Sequence, residues 1–138
     1  MARSDRPRSV TITLVAVFLL GVWNVWRALV LFRSGDLLLA LGVSLDPRAR
    51  LMMALVWALV FIAVALGLLW RRALARWLLP LSLLLYALYN MAVLALFARS
   101  PGARAGWPFD LLLYGLALAW TGWALHRPAV TDYWRTPT

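Results

Sequence analysis

The sequence predicts an all-α membrane protein in which four transmembrane helices form an up-and-down bundle. Of its 138 residues, 64% are hydrophobic, and the mean hydropathy is +0.82, whereas a soluble domain is about half apolar. The apolar residues are gathered into runs of roughly 20, the length that a helix needs to cross the hydrocarbon core of a bilayer. We therefore expect residues 1–138 to form a single integral membrane domain.

The first apolar run covers residues 10–32 and follows a basic segment at residues 1–9. The arrangement is similar to the start of a signal peptide, but the run is too long, and Arg33 follows it without a convincing small-x-small cleavage site. A retained first span is therefore predicted. Residues 36–45 are apolar but too few to cross, which favours a short interfacial helix ended by Gly42. A re-entrant segment is the alternative for these residues.

Three further spans are predicted along the rest of the chain. Asp46 and Pro47 are typical of a helix start, because Asp caps free backbone N–H groups and Pro fits the first helical position. The second span is then expected over residues 49–70. The third is expected over residues 77–98, and the fourth over residues 108–126.

All fourteen basic residues are arginine, all five acidic residues are aspartate, and the net charge is +9. Such an excess can indicate nucleic-acid binding. Here the arginines gather at the ends of the predicted spans, where they orient membrane helices. We therefore expect no nucleic-acid partner. Three of them, between the second and third spans, are candidate contacts for anionic lipid: Arg71, Arg72 and Arg76.

The distribution of arginine also predicts the orientation of the chain. With the N-terminus inside, eight arginines lie in cytoplasmic segments and five lie outside, or six when Arg27 is included. This bias favours both termini in the cytoplasm. We expect the protein to lie in the cytoplasmic membrane of a prokaryote.

Two asparagines in the predicted spans are the first candidates for a polar seam. Asn24 and Asn90 each lie about 12 Å before the outer end of their span, at 1.5 Å per residue. An amide without a hydrogen-bond partner in lipid costs several kcal/mol. Each asparagine should therefore face the bundle and form a hydrogen bond with the other asparagine, with Tyr86 or with Tyr89. Interhelical bonds of this kind contribute under about 1 kcal/mol. Structural packing is therefore favoured over a ligand or ion site, although both remain open.

Arg27 follows Asn24 by one helical turn, so the two side chains should share a face. A charge within a span is a candidate functional group, but a long arginine can also reach the interface and lipid headgroups. The more specific alternative is an ion pair between Arg27 and Asp110, which lies in the first turn of the fourth span. Such a pair would form a site for an anion or a proton.

A shift of 66 residues aligns Asn24 with Asn90 and Trp23 with Tyr89. The two span pairs would then be copies related by an axis along the membrane normal. Coincidence between two Leu- and Ala-rich helices explains the same matches.

The sequence contains no catalytic or metal-binding motif, no cysteine and one histidine. We therefore expect no enzyme activity, no cofactor and no metal. The leading interpretation is a non-catalytic accessory or scaffold subunit of a larger membrane assembly, or a homo-oligomer. Its partners would be the lipid bilayer and other membrane subunits, or copies of itself. The alternative is a small transporter, channel or lipid-binding protein with a polar seam at Asn24, Arg27 and Asn90.

Overall fold

The computed structural model describes residues 6–40, 46–97 and 105–135, and within these ranges the chain forms helices and no strand. The prediction of an all-helical protein is confirmed. In chain order the helices are α1 (Arg8–Ala40), α2 (Pro47–Leu69), α3 (Ala75–Phe97), α4 (Trp107–His126) and α5 (Pro128–Arg135).

Among the described residues, three helical segments are long and apolar enough to cross a membrane: Arg8–Gly35, Pro47–Leu69 and Ala75–Phe97. The chain is therefore a small membrane protein. Helix α4 has 20 residues, about 30 Å at 1.5 Å per residue. It is not among these three segments, and its first turn carries Asp110, so a fourth crossing stays a prediction.

Helix α1 is longer than the first predicted span. It continues from residue 32 to Ala40 and has 33 residues, so residues 36–40 extend it instead of starting a separate helix. A single Gly35 lowers helix stability by about 1 kcal/mol relative to alanine, which is too little to end so long a helix. The separate interfacial helix is not confirmed. Its remaining residues, 41–45, which include Gly42, lie outside the described residues.

Helix α2 begins and ends with local hydrogen bonds that its sequence explains. The Asp46 side chain accepts from the Arg48 backbone N–H at 2.9 Å, and Pro47 occupies the first turn, so the predicted start is confirmed. At the other end, the Arg72 N–H donates to the Gly67 carbonyl at 2.8 Å. Arg71 has a φ of 55°, the left-handed conformation that reverses the chain after a helix.

Contacts between the helices show that successive helices run in opposite directions. The Arg6 side chain donates to the Leu69 carbonyl at 3.3 Å, and Gly21 faces Ile62, which sets the register of α1 against α2. The Trp77 and His126 rings are 4.8 Å apart between α3 and α4. The α2–α3 turn, the start of α1 and the end of α4 therefore share one end of the molecule, the closed end. The opposite end is the open end.

The core lies at the contact of the four long helices and is densest towards the closed end. Close approach of α1 and α2 is possible because Gly21 has no side chain, and a Cβ there would lie 3.0 Å from Ile62 Cγ1. The buried apolar side chains of this core include Val17, Phe61, Leu68, Leu79, Leu83 and Leu125.

Helix α4 packs against the bundle at its closed-end half. Thr121, Ala124 and Leu125 are buried, and Trp120 Nε1 donates to Thr13 Oγ1 on α1 at 3.2 Å. At the open end, by contrast, all side chains from 107 to 113 are exposed. Helix α4 therefore leaves the bundle towards the open end.

Candidate functional site

The centre of the candidate site is the hydroxyl group of Tyr86, a buried residue near the middle of α3. This hydroxyl donates to Asn24 Oδ1 at 3.4 Å and accepts from Arg27 Nη1 at 3.3 Å. Asn24 and Arg27 lie three residues apart on α1, so one face of that helix presents both groups to α3. The tyrosine thus connects two helices that are not adjacent in the chain.

Asn24 is completely buried, and both ends of its amide have a partner. Its Nδ2 donates to the Leu20 carbonyl at 2.9 Å, one turn earlier on α1, and its Oδ1 accepts from Tyr86. A buried amide costs little when its donor and acceptor are both used. The structure therefore holds Asn24 inside the protein, away from lipid.

Asn90 lies one turn after Tyr86 on α3 but is only half-buried. Its Nδ2 donates to the Tyr86 carbonyl at 2.8 Å, within its own helix. Between Asn24 and Asn90, which are both described, the structure shows no hydrogen bond. Of the partners that the sequence suggested for Asn24, the structure places Tyr86 beside it.

An aromatic cluster surrounds the Tyr86 ring. Its centroid lies 5.1 Å from Trp57, 5.2 Å from Phe61 and 6.0 Å from Tyr114, in edge-to-face arrangements that aromatic rings prefer. Tyr89 contacts the Trp57 ring at 6.0 Å. The cluster joins α2, α3 and α4 and fixes the orientation of the Tyr86 hydroxyl.

Phe61 and Tyr114 are neighbours of Tyr86 that the sequence did not predict. Tyr114 had a signal, because it is a polar aromatic residue one turn after Asp110 on the same helix. Phe61 had none beyond its place in an apolar run. Within the described part of the chain, the buried Trp57 Nε1 has no hydrogen-bond partner.

Arg27 is half-buried, and its hydrogen bond goes to Tyr86. Asp110 is exposed at the start of α4. Both residues are described, and the structure shows no ion pair between them. Tyr114 lies within electrostatic reach of both charges. The structure thus brings Arg27, Asn24 and Tyr86 together and leaves Asp110 outside this group.

The three arginines proposed as lipid contacts lie around the α2–α3 turn at the closed end. Arg72 is exposed, whereas Arg71 and Arg76 are half-buried. The Arg76 guanidinium lies 5.5 Å from the centre of the Trp77 ring, a distance typical of cation–π contact. Arg72 is therefore the most accessible of the three to a headgroup.

The described residues contain no cluster of three or more histidine, cysteine, aspartate or glutamate side chains that could hold a metal ion. His126 Nδ1 lies 2.9 Å from the Gly122 carbonyl of its own helix, and its ring packs against Trp77. Its contacts are those of a residue that packs a helix end.

No protein-family model matches the sequence, and neither the search of curated proteins nor that of solved structures found a match. The geometry of the chain itself is therefore the basis for a proposal about function.

The two asparagines should differ when each is replaced by leucine, a side chain of similar size. Asn24→Leu removes the acceptor of the Tyr86 hydroxyl, and we expect a loss of about 1 kcal/mol in unfolding free energy. Asn90→Leu removes a bond within one helix and should change stability by less than about 0.5 kcal/mol. Unfolding in detergent micelles, followed by tryptophan fluorescence, measures both. Equal losses would contradict the distinction between the two residues.

Proposed function

We propose that the protein is a non-catalytic helix-packing subunit, which acts as an accessory or scaffold in a membrane assembly or as a homo-oligomer. The observation that carries this proposal is an unused small-residue face on α4. Gly115 and Ala119 lie four residues apart and are both exposed. A Cβ placed on Gly115 or on Gly122 would meet nothing within 4 Å. Paired small residues of this kind let membrane helices approach closely.

The chain uses other glycines in contacts within the bundle. A Cβ on Gly21 would lie 3.0 Å from Ile62, and one on Gly67 would lie 3.0 Å from Ala75. Those glycines allow close contacts within the monomer. The Gly115 face offers the same kind of contact to a helix outside the monomer. We name Gly115, Ala119 and Gly122 the α4 small face.

Exposure at the open-end half of α4 supports the same proposal. Asp110 lies there between Phe109 and Leu111, which are 64% and 51% exposed. A carboxylate beside apolar, lipid-exposed residues is costly unless it is paired or reaches water. A partner helix that brings a cationic or hydroxyl group to Asp110 would lower that cost and cover the leucines around it.

We further propose that α4 is the fourth crossing of a bundle whose termini both face the cytoplasm of a prokaryote. Its 20 residues are long enough for the hydrocarbon core. It also runs antiparallel to α3, since Trp77 near the start of α3 contacts His126 at the end of α4, and Tyr86 contacts Tyr114. The arginine bias supports this orientation, in which the open end faces outwards.

The alternative function is a small transporter, channel or lipid-binding protein that uses Asn24, Arg27 and Asn90 as a polar path. The contacts of its two asparagines favour packing. Asn24 uses Leu20 and Tyr86 as partners, and Asn90 bonds to its own helix. A transport path needs polar groups that are available to a substrate, and the Asn24 amide is already engaged at both ends.

Cysteine cross-linking tests the α4 small face, since the native chain has no cysteine that could react. Leu112→Cys lies one turn before Gly115 and is 58% exposed in the wild type, and Leu59→Cys on α2 is a matched exposed control at 69%. In bilayers containing the protein's membrane partners or further copies, Leu112→Cys should enter a cross-linked complex, and Leu59→Cys should not.

Gly115→Ile is the decisive second variant. The space around Gly115 accepts a side chain within the monomer, so the variant should fold. It should nevertheless lose the complex seen by native mass spectrometry after mild extraction. A monomer mass in every mild detergent, or a complex that Gly115→Ile leaves intact, would refute the proposal.

A further inference from the structure

A surface groove between α1 and α2 near the open end contains two arginines and two tryptophans. Its volume is about 350 Å³. The Trp23 and Trp26 rings are 56% and 58% exposed, so they border the groove on the side that faces lipid. The residues that line it are Trp23, Trp26, Arg27, Val30, Leu31 and Arg50.

The two arginines reach the groove from different depths. Because Gly21 faces Ile62 in this antiparallel pair, Arg50 lies level with Arg33, and Arg27 lies about 9 Å deeper, at 1.5 Å per residue. Arg50 is in the first turn of α2, which begins at Pro47. The groove therefore runs from the helix end into the apolar part of α1. A phospholipid has the same arrangement, with its headgroup at the surface and its acyl chains in the apolar part.

The charge of the groove is not balanced by the protein. Arg27 donates one hydrogen bond to the neutral Tyr86 hydroxyl, and a guanidinium has five N–H donors. Neither Arg27 nor Arg50 forms an ion pair with a carboxylate among the described residues. Two cations that line one partly apolar groove repel each other. An anion between them would remove that repulsion.

We propose that this groove binds the phosphate group of an anionic phospholipid. Arginine binds phosphate oxygens through two parallel N–H bonds, and tryptophan rings are favoured at headgroup level. A phosphate ester and a free phosphate share this chemistry. The exposed apolar walls at Trp26 and Val30 favour the lipid, because its chains cover them and a free ion would leave them bare.

Native mass spectrometry of the full chain in detergent tests the proposal. The protein is mixed with equal amounts of phosphatidylglycerol and phosphatidylcholine that carry the same acyl chains. Phosphatidylglycerol should be the retained lipid. Arg50→Gln should lower its affinity about tenfold, which corresponds to about 1.4 kcal/mol, and Arg27→Gln should lower it by at least as much.

Arg33→Gln is the matched control, because Arg33 lies level with Arg50 but does not line the groove. This variant should retain phosphatidylglycerol with an affinity within about twofold of the wild type. A loss in Arg33→Gln equal to that in Arg50→Gln would show general charge attraction and overturn the site. Equal retention of phosphatidylcholine would also overturn it. So would displacement of the lipid by inorganic phosphate, which would assign the groove to a free ion.

Discussion

Replacement of Tyr86 by alanine should lower the free energy of unfolding by about 3 kcal/mol, the scale of large-to-small changes at buried aromatic residues. Tyr86 is 3% exposed, and its ring packs edge-to-face on Trp57, Phe61 and Tyr114. Removal of the ring leaves a cavity where α2, α3 and α4 meet. Unfolding in detergent micelles, followed by tryptophan fluorescence, measures the loss.

Tyr86→Phe separates the hydroxyl group from the ring. It retains the aromatic packing but removes the hydrogen bonds to Asn24 and Arg27, and we expect a loss of about 1 kcal/mol. Leu88→Ala, at a position 58% exposed on the same helix, is the control and should cost clearly less than Tyr86→Ala. If Tyr86→Ala were no more harmful than Leu88→Ala, Tyr86 would not be the centre of the cluster.

Replacement of Gly21 by leucine should destabilise the protein by about 2 kcal/mol, within the range found for overpacked interiors. A Cβ at this position already lies 3.0 Å from Ile62 Cγ1 and 3.5 Å from the Ile62 backbone nitrogen. The larger leucine must therefore separate α1 from α2. Thermal unfolding in micelles should show a lower midpoint temperature.

Gly35→Leu is the matched control for Gly21, because both glycines lie on α1 and a Cβ on Gly35 meets nothing within 4 Å. Glycine is also the weaker helix former, so this change should be neutral or stabilising. A midpoint shift of the same size and sign in both variants would contradict the close approach of α1 and α2 at Gly21.

Run length and composition predicted the helices, because the bilayer thickness imposes the same length on every span. The end of α1 was not predictable in the same way. Gly35 and Asp36 are common where helices end, yet one glycine costs only about 1 kcal/mol, and the Leu and Ala residues that follow are good helix formers. The residue at which α1 ends depends on small differences in local free energy that the pattern of residues does not reveal.

The candidate site was predictable by residue type and depth but not by partner. Helical spacing places Arg27 beside Asn24 on α1. Whether Arg27 contacts Tyr86 or Asp110 depends on how α1, α3 and α4 are rotated about their axes. Arg50 was missed for a related reason. An arginine at the end of a span is ordinarily explained by its role in orienting the helix across the membrane. The groove that Arg50 lines exists only when α1 and α2 pack together.

Local bonding is the same for the two asparagines and does not explain their different surroundings. Asn90 donates to a carbonyl four residues earlier in its own helix, as Asn24 also does. Such a local bond is available at any position in a helix, so it carries no information about a neighbouring helix. What distinguishes Asn24 is the Tyr86 hydroxyl at its oxygen, and that contact depends on tertiary structure.

The short reversal at Arg71 favours early pairing of α2 and α3 when the chain folds. Since residues 70–74 bring the two helices together, the entropy lost on closing this loop is small. Both helices can thus pair as a hairpin that carries Arg71 and Arg72 at its tip. Helix α1 emerges from the ribosome earlier, and its close contact at Gly21 can form only after Ile62 on α2 has been made.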